Sequence, residues 1–299
     1  ISINPLLQSK KPFVNWCSRQ EHLSLDAKYT VEVLLEKAKT ADCNQAFEKL
    51  AALTELNLAG KKIIDVSPLS AFSNLTILLL ADNQIVDITP LSSLTHLKEL
   101  DLSNNQVANL NALSFLTQLQ TLWLWNNQIV DIFPLSSLIH LTRLYLAENQ
   151  ILDISPLSSL SHLIALILDN NQIENLQPLS SLTSLAGLSL SLNQIVDIMP
   201  LSSLTNLTVL VSENNQIVDV TPLSVLTKLN LLILNHNQIT DIKPLSSLKN
   251  LAVLSLRDNL ITDVKSLSSL TNLTKLILTE NSTLINQICP LKPESICNF

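Results

Sequence analysis

The chain has 299 residues, a formal net charge of −7 and only two glycines, Gly60 and Gly187. Ordinary usage would supply about 7 % glycine, or roughly twenty residues, so phosphate loops, dinucleotide fingerprints and nucleophile elbows, which need closely spaced glycines, are excluded. With 46 % hydrophobic and 14 % charged residues, no basic stripe and no apolar run near ~18 residues, the chain is neither disordered, nor suited to a nucleic-acid backbone, nor membrane-spanning.

The first residues give a helical cap. The chain starts at Ile1 rather than Met, which is read as a leader removed upstream or left out of the sequence. Ser24 or Asp26 can start a helix that places Val31, Leu34, Leu35 and Ala38 on one side. Asp42 followed by Gln45 has the spacing of a capping box for a second helix running through Leu50. The four cysteines sit at the chain ends, Cys17 with Cys43 and Cys289 with Cys297. Local pairing would close loops of about 27 and 9 residues, worth roughly 3.5 and 2.5 kcal/mol by chain-entropy arithmetic, and would imply an oxidising compartment. The alternative is four buried thiols in a cytosolic protein.

From Leu53 the sequence repeats every 22 residues. Leu53, Leu75, Leu97 and their successors to Leu273 open ten full copies and a fading eleventh. The consensus is L-x-x-L-x-L-x-x-N-Q-I-x-D-I-x-P-L-S-S-L-T-x. A fixed period in this range means a solenoid, each copy burying its apolar face on its neighbours. The alternation in L-x-L marks a short strand, with Leu100 and Leu102 inward and Glu99, Asp101 and Ser103 outward. Asn83 and its nine counterparts to Asn281 recur without a break; a stacked amide has the donors and acceptors to satisfy turn backbone. Pro suits the first position of the P-L-S-S-L-T block, which is too short for an α-helix and predicts a 3₁₀ turn. Close-packed strands inside and short turns outside predict a curved arc. The tail from Ser282 to Phe299 would shield the last sheet edge.

The ten registered copies resemble leucine-rich repeats of the 22-residue class, as in bacterial internalins and phosphatase-regulating repeat proteins. The resemblance covers residues 53 to about 284. It implies an α/β solenoid, a horseshoe or arc with a parallel β-sheet on the concave face and 3₁₀ turns on the convex face, behind a helical cap of internalin type. Departures are Ser212 for an inward Leu, Ala112 and Ser266 for Pro, and Lys61 for the first Asn. The organisation is then 1–52 N-terminal cap, 53–284 repeats and 285–299 C-terminal cap.

No residue set points to catalysis. His96, His140 and His162 end their repeats in a column that also holds Asn, Gln, Ser and Lys, so a solvated loop position outweighs a metal pair. Eight aspartates from Asp65 to Asp263 share a column. They could gather calcium, but Asn109 and Asn175 occupy the same column, which favours a local hydrogen bond to the turn. No cofactor is implied.

What varies between repeats is the outward face of the strands. Trp123 and Trp125 lie two apart and face the same way. Tyr145 falls beside Trp123 in the next repeat and Arg143 within diagonal reach, with Ile167 following. Val209, Val211, Leu231, Ile233 and Val253 form a second apolar group. Aromatic and Arg clusters of this composition mark interfaces, although such a stack could serve only to stiffen the sheet. The sequence therefore reads as a non-enzymatic, monomeric, internalin-like protein, secreted or on the cell surface, that binds a protein partner through its concave sheet. The alternatives are a cytosolic regulator of an enzyme such as a phosphatase, and a purely structural surface array.

Overall fold

The structure, a computed structural model, describes residues 12–284 and 288–299. Residues 1–11 and 285–287 of the two expected caps lie outside the described residues. The chain forms two compact units, Ile1–His140 and Leu141–Phe299.

The first unit begins with α1 (Pro12–Ser18), α2 (Leu25–Ala38) and α3 (Cys43–Ala51). Ser24 caps α2 by accepting the Ala27 N–H, and Val31, Leu34 and Ala38 are buried with Leu35 half-buried beside them. Asp42 caps α3 through the Gln45 N–H at 2.8 Å. The reciprocal half of the expected capping box is missing: the Asp42 N–H donates to Thr40 Oγ1 instead, because Thr40, two residues upstream, is nearer than a side chain three residues downstream. Helix α1 had no clear sequence signal. Phe13 on α1 lies 5.3 Å, ring to ring, from Phe72 of the first repeat, Phe47 of α3 is 6.5 Å from the same ring, and the Cys17–Cys43 disulfide ties α1 to α3. Thr30 and Tyr29 of α2 donate to the carbonyls of Asp65 and Lys61, so the cap is bonded to the first repeat as well as packed on it.

Behind the cap run four parallel strands in chain order, β1 (Glu55–Asn57), β2 (Ile77–Leu79), β3 (Glu99–Asp101) and β4 (Thr121–Trp123). The second unit continues the pattern with β5 (Arg143–Tyr145), β6 (Ala165–Ile167), β7 (Gly187–Ser189), β8 (Val209–Val211), β9 (Leu231–Ile233), β10 (Val253–Ser255), β11 (Lys275–Ile277) and β12 (Cys297–Asn298), each paired parallel to the next. Register advances by 22 residues at each step except the last. There the C-terminal segment, held by the Cys289–Cys297 disulfide, supplies β12 and covers the edge of β11. The oxidised pairs displace the free-thiol alternative.

Within each repeat the consensus leucines and isoleucines are almost wholly buried. Burying one such side chain is worth about 1.5–3 kcal/mol, which is why the leucine column tolerates so little change. The expected 3₁₀ turns form as five-residue segments such as Thr89–Ser93 and Met199–Ser203. They begin one residue before the proline, so Pro takes the second position, where its missing N–H is still one that the turn would leave unpaired.

The asparagine ladder is the expected one, and it is inter-repeat. Asn105 Nδ2 donates to the carbonyls of Leu80, Leu102 and Ser103, and its Oδ1 accepts the Ile85 N–H. Leu80 and Ile85 belong to the preceding repeat, so each amide stitches two copies together. Ser103, in an outward column, is nevertheless fully buried, its Oγ without a hydrogen-bond partner among the described residues. Beside it runs Trp125, whose carbonyl accepts the Asn104 N–H, and a side chain as short as serine next to an indole keeps no exposed area. Gly60, at φ +67°, fills a position that is left-handed in every copy, from Asp82 and Asn104 to Asp258 and Glu280.

Candidate protein-binding face

Three-residue strands leave two side chains pointing away from the core, with the middle one buried. In the first unit Trp123 faces outward from β4 and is half-buried, as is Trp125 just beyond the strand end. Asp101 on β3 stands in register with Trp123, and its Oδ1 accepts the Ser103 N–H at 2.9 Å. The third tryptophan, Trp16, is half-buried in α1. The face of this unit therefore carries two indoles that the leucine core does not use.

In the second unit Arg143 is exposed and pairs in register with Ala165, while Tyr145 pairs with Ile167. Register brings the aliphatic group together as the pattern required: Val209 with Leu231 with Val253, and Val211 with Ile233. Val209 is the most open of these, at 37 % exposure. Between the two groups lie Gly187 and Ser189 of β7. Polar side chains just past the strands are fixed by the neighbouring copy. Asp169 Oδ1 accepts both Ser189 Oγ and the Ser191 N–H at 2.6 Å, and Asn235 Oδ1 accepts Ser255 Oγ and the Arg257 N–H. Further along, His236 Nδ1 lies 2.8 Å from Asp258 Oδ2, and Arg257 pairs with Glu280.

The aspartate column holds turns. Each Oδ1 is occupied by the N–H two residues on, as in Asp87 with Thr89 and Asp219 with Thr221 at 2.8 Å, and Asn109 and Asn175 make the same bond. At Asp87 and Asp219 the neighbouring threonine hydroxyl, and then its backbone N–H, hold the carboxyl below the ordinary Asp value. His96 Nδ1 sits 3.1 Å from the Ser73 carbonyl. Among the described residues no three His, Cys, Asp or Glu side chains gather as metal ligands, and no helix is long and apolar enough to cross a membrane.

Sequence reasoning missed two strongly exposed aromatic side chains of the first unit. Phe133, at 70 % exposure, and Phe115, at 62 %, lie in 3₁₀ turns. They stand at positions where most other repeats have small or polar residues, and a column comparison of the turns would have found them.

Comparison with known proteins places these features. Residues 73–114, 117–159 and 139–181 match a family described as leucine-rich repeats in two copies. No match was found among curated proteins. Among solved structures, an internalin (inlF) from Listeria monocytogenes is 30 % identical over 86 % of this chain and 93 % of its own, with a TM-score of 0.70. A second Listeria internalin, internalin C2, is 33 % identical over 76 % of this chain and 92 % of its own, with a TM-score of 0.57. A leucine-rich repeat protein of Leptospira interrogans is 25 % identical over 85 % of this chain and 73 % of its own, with a TM-score of 0.68. With a registered parallel solenoid, a helical first cap, disulfides at both ends and these identities over nearly the full length of two internalins, the chain belongs to the internalin family of leucine-rich repeat proteins.

Proposed function

We propose that this internalin-like, non-enzymatic scaffold engages its protein partner through particular side chains of the sheet face. Trp123 and Trp125 are the anchors in the first unit. Arg143, Tyr145 and Ile167, with Val209, Val211, Leu231 and Ile233, form the contact surface in the second. One observation carries this reading: the outward strand positions vary from copy to copy and hold large apolar residues, while the buried columns barely change. A scaffold that needed only to stack would have no use for indoles outside a core already filled by leucine.

The two disulfides support a secreted or cell-surface location. Helices over the first repeat and β12 over β11 cover the terminal sheet edges, which favours a monomer. The test is cross-linked capture by the intact chain compared with the Trp123→Ala, Trp125→Ala, Tyr145→Ala triple variant. The expected result is a protein captured by the wild type and lost by a variant whose melting temperature is unchanged. Equal capture by both would remove these residues from the binding site.

A further inference from the structure

Gly187 interrupts the sheet face of the second unit. Along one row across the strands the outward residues are Arg143, Ala165, Gly187 and Val209, in continuous register. Three strand spacings separate the first from the last, roughly 14 Å, and over that width only a methyl group and a hydrogen rise from the sheet. In the adjacent row Ser189 stands between Ile167 and Val211. A Cβ added at Gly187 would meet no atom within 4 Å, so the gap is open space and not a packed contact. One end of it has a single sign of charge. The residues that follow β5 to β8 include Glu148, Asp169 and Glu213 and no lysine or arginine. Asp169 Oδ1 is held by Ser189 and Ser191, while its Oδ2 and the Glu213 carboxylate accept no hydrogen bond among the described residues.

We propose that the gap over Gly187 receives one bulky apolar side chain from a cationic segment of the protein partner, whose lysine or arginine meets the carboxylates of Asp169 and Glu213. This rests on the reading that the sheet face binds protein, and it specifies the chemistry of what is bound. Charge complementarity decides the occupant. A second copy of this chain, at net charge −7, would bring like charge to an acidic rim, whereas a basic segment is attracted to it.

The probe is a random dodecapeptide display library panned against the full chain. Enriched peptides are expected to place an aromatic or large aliphatic residue within about three positions of a lysine or arginine, the spacing that β-strand rise allows. Gly187→Tyr fills the gap and is expected to weaken these peptides by about tenfold or more, a loss set by blocked shape and not by stability. Gly187→Ala, which adds one methyl, should change affinity by less than about threefold. Asp169→Asn with Glu213→Gln should weaken binding at low salt and have little effect at 0.5 M salt, where the Debye length is only about 4 Å. Melting curves of all variants should superimpose. No enrichment, enriched peptides without a basic residue, or affinity untouched by Gly187→Tyr would overturn the proposal. If peptides ignore Gly187→Tyr but are lost on Val211→Ser with Ile233→Ser, the gap reading fails and the sheet-face reading stands. Peptides indifferent to every one of these changes would remove both.

Discussion

The eighth residue of each repeat adopts a left-handed backbone, and the chain fills that position with eleven residues of six types. Asn104, Asn126, Asn170 and Asn214 suit it, since a short polar side chain tolerates this conformation, and Gly60 suits it best. Asn104 and Asn126 also link into a row, Asn126 Nδ2 to Asn104 Oδ1 and Asn104 Nδ2 to Asp82 Oδ1. Leu192 does not suit it: at φ 56° and 51 % exposure it has a left-handed backbone without compensating burial. Leu192→Asn is expected to raise unfolding free energy by about 0.5–1 kcal/mol, part of the left-handed penalty for an ordinary L-residue. A denaturant midpoint that falls would contradict this. The position was illegible in the sequence because its residue identities scatter; only backbone geometry unites them. The ninth position was legible because one chemistry, the buried amide with its carbonyl and N–H partners in two repeats, admits only Asn.

Turns and caps behave as separate elements with their own chemistry. The 3₁₀ turns lack side-chain N-caps at the residue before them, and the aspartate two residues upstream of the first turn residue accepts its N–H instead. Because the threonine hydroxyls and N–H groups depress the carboxyl pKa of Asp87 and Asp219 in the folded chain, their contribution to stability is present above the ordinary Asp value of about 4 and is lost as pH falls through the lower folded value. Carboxyl NMR titration should find both below that ordinary value, and Thr89→Val with Thr221→Val should raise them toward it. An unshifted wild-type titration would show that the turn bond does not favour the charged form. At the other end of the chain, the second disulfide holds β12 against β11, where the Leu278 N–H donates to Asn298. Cys289→Ser with Cys297→Ser is expected to cost roughly 2–3 kcal/mol and to speed amide exchange at Leu278 well ahead of exchange at Leu234. Unchanged protection at Leu278 would mean that β12 needs no covalent tie.

At the scale of the whole molecule, legibility follows repetition. Ten copies of one pattern gave strands, turns, inward leucines and the asparagine ladder, because each physical requirement was stated ten times. Features stated once were obscure. Helix α1 is seven residues long with no acidic first turn or basic last turn to announce it. Alternation put Ser103 on the outer face, and only the bulk of its neighbour Trp125 shows that this position is covered. The proposed contact residues were legible in the opposite way, as departures from repetition: Trp123, Tyr145 and Gly187 stand out because nothing in the scaffold asks for them. Which partner they select is a property of the other protein's surface and leaves no mark on the 22-residue pattern.

The asparagine ladder also constrains how such a chain can change its length. In the described bonds each amide donates to a carbonyl 25 residues earlier and accepts an N–H 20 residues earlier, as Asn193 does with Leu168 and Ile173 and Asn259 with Leu234 and Ile239. Both partners lie in the preceding copy. Removing or duplicating 22 residues, cut at any point in the frame, returns every amide to an equivalent pair. Removing any other number leaves buried polar groups unpaired, at about 1–3 kcal/mol each. A gene encoding this chain can therefore gain or lose copies by recombination between its own near-identical segments with the interior intact, while out-of-step exchanges give products that do not fold. Copy number becomes the heritable variable, and with it the number of outward strand positions open to selection.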